Sequence, residues 1–378
     1  MLSIFSVFAL WRIVDLLIAI MAPSLLVHNV PFRFAYIMER GLLPDFLTGF
    51  ANFDGVHFLH IATSGYATYE QAFFPLYPLL VRMVTAFTHS PFLAGFLLSN
   101  AVFLASLAIL LTYVKKITSS GAARWTLLFL LVFPTSFFFG SVYATSLFFF
   151  LVLCTFLFID RKKYGLAGAC AFLASLTWIG GIFLVIPLGL ALWQDKKRFL
   201  ASLRSLAILA APFLGVGLYM AYLARTTGDP LFFYHAQPAF GANRSTGIIL
   251  LPQILYRYIR IFTTAPRDIV YAVALFELIT FTLVLSVLVY DLYKVWHAKA
   301  GLARTQRLGL SLFSFATLVL PTLTGTFSSL PRYALFSVAY FVRLAEMRSF
   351  LLKTIVLLLF ILAHIAALVL FIQGYFVG

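Results

Sequence analysis

Residues 92–114 read FLAGFLLSNAVFLASLAILLTYV, an uncharged run that ends at the lysine pair Lys115 and Lys116. A helix of this length, rising about 1.5 Å per residue, crosses the roughly 30 Å hydrocarbon core of a bilayer. Similar apolar runs recur along the chain, which is 63% hydrophobic and 10% charged with a mean hydropathy of +1.02. The sequence therefore predicts an all-α integral membrane protein, a polytopic helical bundle, and excludes a water-soluble fold.

The predicted bundle is a single domain, residues 1–378, with about ten to twelve transmembrane helices. The other candidate spans are residues 2–27, 125–141, 146–159, 164–177, 178–193, 205–224, 268–290, 309–325, 333–345 and 353–374. Residues 73–88 are also apolar but contain Pro75, Pro78 and Arg82, so they form either a half-helix or a further span. The sequence leaves both alternatives open.

Basic residues mark one face of the predicted domain. The net charge is +15, but the basic residues form short clusters between alternate pairs of spans, which is typical of cytoplasmic loops and not of a nucleic-acid-binding surface. The clusters are Lys115/Lys116/Arg124, Arg161/Lys162/Lys163, Lys196/Lys197/Arg198/Arg204, Lys294/Lys299/Arg304/Arg307 and Arg343/Arg348/Lys353. They contain every lysine of the chain.

The opposite, non-cytoplasmic face carries arginine without lysine. Its basic residues are Arg33, Arg40, Arg225, Arg244, Arg257, Arg260, Arg267 and Arg332. A guanidinium matches phosphate oxygens with two parallel hydrogen bonds, so this composition suits phosphate recognition. Arginines that reach up to lipid headgroups explain it equally well.

Two long outer loops are candidates for a functional site, residues 28–72 and residues 225–267. The first loop holds four of the twelve acids of the chain: Glu39, Asp45, Asp54 and Glu70. Aromatic residues flank Asp54 throughout this loop. Partial loss of hydration among rings raises the proton affinity of a carboxylate, which suits Asp54 to accept a proton from a hydroxyl group.

Asp54, His57 and His60 are spaced by three residues and would share one face of a helix. That spacing suggests a metal site, but no clear fourth ligand accompanies the three, so a divalent metal is not favoured and no cofactor is predicted. Asp54 alone also fits a helix N-cap before Gly55. The spacing by itself does not separate these roles.

One specific resemblance begins at Phe53. Residues 53–80 read FDGVHFLHIATSGYATYEQAFFPLYPLL. This run resembles the Trp-Asp-Gly, Ile-Ala, Gly-Tyr, Glu and Phe-Phe-Pro-x-x-Pro pattern of GPI mannosyltransferase II, the PIG-V family, within the GT-C class of multispanning glycosyltransferases. Further similar stretches follow in the family's order: FPTSFFFGSVYATSLFF from Phe133, GDPLFFYHAQPAF from Gly228 and LPRYALF from Leu330.

The chain also departs from the family pattern. Phe53 stands where the family has Trp, and Ala144-Thr145 replaces Ser-Glu. Residues 175–181, SLTWIGG, lack the family's arginine and asparagine. These departures bear on the acceptor and the donor sugar and do not affect Asp54, Glu70 or Arg332.

The resemblance implies a GT-C-like bundle that acts as an inverting glycosyltransferase of the mannosyltransferase type, with a polyprenyl- or dolichyl-phosphate-linked sugar as donor. The residues allow this chemistry, with Asp54 as the general base and with Arg332 first and Arg244 second to stabilise the departing phosphate. The candidate substrate-binding residues are His57, Glu70, Gln237, Arg244, Arg332 and Tyr333.

The resemblance also implies the partners, and the basic clusters and the compact loops predict the location. The partners are the lipid-linked donor, a glycan, glycolipid or protein acceptor, and membrane lipids, with no nucleic acid. The chemistry is expected on the outer or lumenal face of a bacterial or archaeal plasma membrane, or of an endoplasmic reticulum.

Two other function classes fit the sequence. A transporter or lipid flippase would line a path with intramembrane charges such as Arg12, Asp15, Arg82 and Glu277. The polar motifs lie in outer loops and no internal repeat is found, which favours the enzyme. A non-catalytic subunit of a transferase complex also fits the composition, and the departures from the family pattern favour it.

Overall fold

The computed structural model describes residues 3–29, 43–195 and 202–377. Within these ranges the chain is all-helical, without a β-strand, as the apolar pattern predicts. The α-helices are α1 Ile4–Leu25, α2 Asp45–Thr48, α3 Asp54–Ser64, α4 Leu76–Thr88, α5 Pro91–Ile117, α6 Ser120–Leu131, α7 Thr145–Asp160, α8 Tyr164–Ser175, α9 Val185–Gln194, α10 Leu203–Thr227, α11 Phe232–His235, α12 Leu251–Thr264, α13 Ile269–Trp296, α14 Leu302–Val319, α15 Leu330–Tyr333, α16 Val338–Ala345 and α17 Phe350–Ile372. The predicted loop residues Arg33, Glu39 and Arg40, and the cluster Lys196/Lys197/Arg198, lie outside the described ranges.

Six described helices are long and apolar enough to cross a bilayer: Ile4–Leu25, Pro91–Ile117, Leu203–Thr227, Ile269–Trp296, Leu302–Thr324 and Phe350–Ile372. Shorter apolar helices cover Leu76–Thr88, Thr145–Asp160, Tyr164–Ser175 and Ile179–Gln194. On α17, the side chains of Leu351, Leu358 and Leu362 are each more than half exposed. Lipid accommodates such a face and water does not. The chain is a polytopic helical membrane protein.

Four predicted spans are interrupted or short: residues 164–177 and 178–193, whose helices α8 and α9 have 12 and 10 residues, and the two segments that follow. The sequence predicts one span over residues 125–141, but α6 ends at Leu131 and a 3-10 helix covers Ser136–Phe139. Pro134 lies between them; it has no N–H and disfavours a helical conformation in the residue before it. Residues 333–345 contain the 8-residue α16, which at about 12 Å is too short to cross a bilayer and is buried inside the bundle.

The centre of the bundle is α7, which is buried along almost its whole length and packs against both α5 and α8. In turn α8 packs closely against α10 at Gly215. The two helices can approach there because glycine has no Cβ, and a Cβ on Gly215 would lie only 2.4 Å from the carbonyl oxygen of Phe172. Small residues at helix contacts permit the close packing on which membrane bundles depend. The short buried helices thus support the loops that surround them.

A buried ionic cluster joins α13, α14 and α16. Asp291 is fully buried and accepts hydrogen bonds from Arg307 Nη2 and Arg343 Nε, each at 2.7 Å, and from the Ser311 hydroxyl. Glu346 contacts the same two arginines at 3.2 and 2.9 Å. We call Asp291, Arg307, Arg343 and Glu346 the Asp291 cluster. Its arginines belong to the clusters predicted to be cytoplasmic.

The two predicted outer loops are largely folded. The described part of the first loop contains α2, a 3-10 helix over Gly49–Ala51, α3 and a second 3-10 helix over Glu70–Ala72. The second loop contains α11, a 3-10 helix over Gln237–Phe240 and α12. These short elements fix side chains that an open loop would leave free.

Candidate active site

Asp54 is the first residue of α3, and the residues before it are fixed by α17 and the chain that follows it. Phe53 has φ 59° and ψ −116°, a conformation that costs a non-glycine residue about 1–3 kcal/mol. Its ring contacts those of Phe371 and Phe376, with centroids 5.8 and 5.1 Å away. The Asn52 amide donates to the Phe371 carbonyl oxygen at 2.8 Å. Packing therefore holds the strained bend that sets where α3 begins.

The loop before α7 packs directly against the start of α3. The Tyr143 hydroxyl donates to the Asn52 carbonyl oxygen at 2.7 Å, and the Val142 N–H donates to the Phe50 carbonyl oxygen at 3.0 Å. Gly55 permits this approach, because a Cβ there would lie 3.3 Å from the Val142 carbonyl oxygen. Segments far apart in sequence thus fix the first turn of α3.

Arg332, on the short α15, forms an ion pair with Asp54. Arg332 Nη1 lies 2.5 Å from Asp54 Oδ2. The guanidinium carbon also lies 5.3, 5.2 and 5.3 Å from the ring centroids of Phe138, Tyr143 and Tyr333. Burial by itself lowers the pKa of Arg332, but Asp54, Tyr333 and Tyr143 together outweigh burial and raise this pKa above its ordinary value. Arg332 therefore stays charged beside the carboxylate.

Asp54 and Arg332 lie on the wall of a cavity of about 580 Å³. Gln237, Arg244 and Tyr333 line the same cavity, so the fold brings together five of the seven residues that the sequence singled out. Much of the remaining wall is aromatic, including Phe58, Phe73, Phe148, Trp178, Phe240 and Phe336. A few polar groups converging in an apolar cavity are typical of a small-ligand site.

The second outer loop supplies Arg244 and Gln237. Arg244 Nη2 donates to Ser329 Oγ at 3.1 Å, and Gln237 Nε2 donates to the Phe233 carbonyl oxygen at 3.2 Å. The carboxylate and the two cations of the cavity thus come from three separate segments of the chain.

Tyr333 forms a flat aromatic wall with Trp178. Their ring centroids are 4.9 Å apart and their planes are inclined by 13°. Phe148 packs edge-on against Trp178 at 5.1 Å, which fixes the indole. Trp178 belongs to the segment that departs from the family pattern, so a departure lies in the cavity wall itself.

His57 and Glu70 lie behind the part of the cavity wall that Phe73 forms. His57 Nδ1 and His60 Nδ1 donate to the two Glu70 oxygens at 2.9 and 2.7 Å, and the Ala67 N–H donates at 2.9 Å. Burial raises the pKa of Glu70, but these hydrogen bonds outweigh burial and hold this pKa below its ordinary value. His57 also stacks on Phe73 at 5.2 Å, and Phe73 lines the cavity. Glu70 itself does not line the cavity, but it contacts His57, which packs against the cavity-lining Phe73.

The three side chains of the metal alternative point in different directions. Asp54 contacts Arg332, whereas His57 and His60 both contact Glu70. Among the described residues, no three His, Cys, Asp or Glu side chains are grouped to hold a metal ion.

The intramembrane charges considered for a transport path do not line the cavity. Asp15 is buried 3.6 Å from Arg12 and 2.9 Å from His364. Arg82 Nε donates to the Ala62 carbonyl oxygen at 2.5 Å. Neither these charges nor Glu277 are among the described residues that line the cavity.

Two hydroxyl residues were missed by sequence reasoning. Thr135 Oγ1 donates to the Pro331 carbonyl oxygen at 2.7 Å and so anchors the turn that carries Arg332. Ser329, with φ 66°, precedes α15 and accepts the hydrogen bond from Arg244. No motif identifies such residues, because loop hydroxyls are common and these partners are 196 and 85 positions away.

No family model matches the sequence, and no curated protein matches it. Among solved structures, the chain is similar to the oligosaccharyltransferase of Archaeoglobus fulgidus in the apo form. The identity is 13% and the TM-score 0.46, over 98% of this chain and 56% of that one. The same enzyme in complex with an inhibitory peptide and a dolichol-phosphate gives 10% and 0.43, over 98% and 56%. The chain thus spans about half the length of that enzyme, and at this level of similarity its function is argued from its own residues.

Proposed function

We propose that this protein is a membrane glycosyltransferase that transfers a sugar, mannose, from a polyprenyl- or dolichyl-phosphate-linked donor to an acceptor, with inversion at the anomeric carbon. The observation that carries the proposal is the Asp54–Arg332 ion pair on the wall of a largely apolar cavity. The pair offers a proton acceptor and a phosphate ligand side by side, and the apolar walls suit a polyprenyl chain. The sequence resemblance to GT-C mannosyltransferases supports the same reaction.

In the proposed reaction, Asp54 accepts the proton of the acceptor hydroxyl as that oxygen forms a bond to the anomeric carbon. The bond between the anomeric carbon and the phosphate oxygen breaks, and its electron pair stays on the lipid phosphate. Attack from the face opposite the leaving phosphate inverts the configuration. Arg332 contacts Asp54 Oδ2, so Oδ1 is the oxygen left to receive the proton.

The leaving phosphate requires positive charge where its own charge develops. A guanidinium has five N–H donors, so Arg332 can bind a phosphate oxygen through N–H groups that do not contact Asp54. A phosphate bound there weakens the hold of Arg332 on Asp54 and makes the carboxylate a stronger base. Donor binding therefore activates Asp54, and Arg244 provides the second cation of the cavity.

The other residues have supporting roles in this proposal. Gln237 and Tyr333 line the cavity and contact the sugar hydroxyls. His57 and Glu70 hold the aromatic wall through Phe73. The chemistry takes place on the outer or lumenal face, where the arginines without lysines lie, and the acceptor is a glycolipid, a cell-wall polymer or a protein. No step requires a metal ion.

The test is transfer of labelled mannose from polyprenyl-phosphate-mannose into lipid, polymer and protein fractions of membranes that contain the protein. Asp54→Asn is expected to reduce transfer by about a thousandfold, because Asn cannot accept the proton. Asp229→Asn is the matched control, since Asp229 is a partly exposed acid of the second outer loop that pairs with His235 and does not line the cavity.

Expression and melting temperature are compared in all three proteins. Full activity of a folded Asp54→Asn protein would contradict the role of Asp54 as base. No transfer from any lipid-phosphate sugar by the wild type would contradict the proposed function and favour the transporter or accessory-subunit hypothesis.

A further inference from the structure

Glu277 is a buried acid on the long helix α13, and the proposed reaction does not use it. Its carboxylate accepts a hydrogen bond from the Tyr258 hydroxyl at 2.7 Å. The positive charge of Arg244 acts on the same carboxylate through space, whereas the direct contact of Glu277 is with Tyr258. A carboxylate in a membrane helix is costly and is retained only where partners compensate it. Of the two partners, Arg244 lines the cavity and Tyr258 does not.

Tyr258 extends this contact to the turn before α15. Its hydroxyl accepts a hydrogen bond from the Phe327 N–H at 3.1 Å while it donates to Glu277. Its ring lies 4.8 Å from that of Phe327, which in turn stacks on Phe281 of α13 at 4.4 Å. The turn is therefore held against α12 and α13 by hydrogen bonds and by ring packing.

The turn at Ser329 contacts one cation of the cavity, Arg244, and leads directly into the helix that carries the other, Arg332. Ser329 has a left-handed backbone, φ 66°, and its hydroxyl accepts the hydrogen bond from Arg244. Arg332 follows three residues later on α15. A non-glycine residue in this conformation persists only when its surroundings impose it, and the Glu277–Tyr258 pair supplies part of that surrounding structure.

We propose that Glu277, braced by Tyr258, is a positioning residue that fixes the Ser329 turn and the Arg244 guanidinium so that Arg244 can bind the phosphate of a prenyl-phosphate ligand. Glu277 itself does not touch the ligand. The inference rests on the proposed function for the identity of the ligand, and it adds a buried acid of α13 that does not line the cavity.

The test measures binding of tritiated geranylgeranyl phosphate to the purified full-length protein in detergent, with geranylgeraniol as the uncharged comparison. Glu277→Gln and Tyr258→Phe are each expected to weaken binding of the phosphate about tenfold, with little change for the alcohol. Tyr290→Phe is the matched control, because Tyr290 is a half-exposed tyrosine on the same helix, α13.

A double-mutant cycle separates positioning from general structural damage. In an Arg244→Gln background, Glu277→Gln is expected to cause no further loss of phosphate binding, because it acts through Arg244. Equal losses in both backgrounds, or unchanged or tighter binding in folded Glu277→Gln, would overturn the inference. So would a wild-type protein that binds the phosphate no better than the alcohol.

The outcome for this inference is distinct from that for the proposed function. Phosphate binding that depends on Glu277 through Arg244, in a protein that transfers no sugar, leaves the positioning role intact and contradicts the transferase. Sugar transfer by a protein whose phosphate binding does not depend on Glu277 supports the transferase and contradicts the positioning role.

Discussion

The Asp54–Arg332 pair and the Asp291 cluster are both ion pairs set within the protein, but their carboxylates are used differently. Asp291 is fully buried and receives two arginines and a serine hydroxyl. The Asp54 side chain is 22% exposed, contacts a single arginine and lies on the wall of a cavity of about 580 Å³. Both oxygens of Asp291 accept hydrogen bonds, whereas Arg332 contacts only one oxygen of Asp54, Oδ2.

The difference indicates what each site is for. A buried carboxylate that lacks partners is strongly destabilising, so a structural cluster satisfies every oxygen. A general base has to keep one oxygen available for the incoming proton, and a phosphate site needs N–H groups that the protein does not use. Of these two arrangements, only the Asp54–Arg332 pair meets both conditions.

Exchanging each acid for its amide is expected to separate the two regions most clearly. Asp291→Asn should lower the free energy of unfolding by about 3–5 kcal/mol, because it leaves arginine charges without their counter-ion. Asp54→Asn should lower it by less than half as much, because its site is partly open and the amide oxygen still accepts from Arg332. Melting temperatures of both variants in one detergent check this.

The contrast between the two regions would be lost if both variants destabilised the protein equally. Transfer activity gives the complementary result, since Asp291→Asn that remains folded should keep most of its turnover.

Replacing an arginine by lysine in each region gives a smaller effect. Arg332→Lys is expected to lower kcat about a hundredfold with little loss of stability, since an ammonium cannot contact Asp54 and a phosphate with the same planar geometry. Arg343→Lys should instead reduce stability and leave kcat nearly unchanged. Steady-state kinetics at saturating donor, with melting curves, distinguish the two, and a fully active Arg332→Lys enzyme would remove Arg332 from the proposed mechanism.

The smallest expected effect concerns the support behind the cavity. Because hydrogen bonds hold the pKa of folded Glu70 below the unfolded value of about 4.3, they contribute stability that is present above that pH. This contribution is lost as the pH falls through the folded pKa. The melting temperature of the wild type should therefore fall below about pH 4, and that of Glu70→Gln should start lower and change less.

Asp45→Asn, which alters an exposed acid of the first outer loop, is the control for this pH series. A Glu70→Gln protein with the same pH dependence as the wild type would show that Glu70 does not support the wall.

Much of the fold could be predicted from composition, because a membrane imposes a simple rule on sequence. A helix that faces lipid must be apolar along its whole length, and long runs such as residues 92–114 satisfy that rule without reference to the rest of the chain. The rule fails for residues 125–141 and 333–345. These segments are apolar because protein surrounds them, so their hydropathy does not report how far their helices extend.

The candidate site, like the fold, could be predicted from the sequence only in part. The run from Phe53 to Leu80 pointed to Asp54, later motifs pointed to Gln237, Arg332 and Tyr333, and the arginine-only outer loops pointed to Arg244; the fold places all five around one cavity. Pattern alone could not separate these residues from Glu70 and His57, which lie behind the wall. The reason is that a polar residue in an aromatic-rich loop looks the same in sequence whether it faces the cavity or supports its lining.

The sequence by itself determined that the chain is helical, membrane-embedded and equipped with a few acids and arginines in loops, because these properties depend on residue type and local order. Only the tertiary structure decided which acid has a free oxygen, which arginine faces it and which buried groups hold the two in place. Asp54 and Arg332 are 278 positions apart, and Ser329 and Glu277 are 52 apart. Their relation is set by how the helices pack, and no local pattern encodes it.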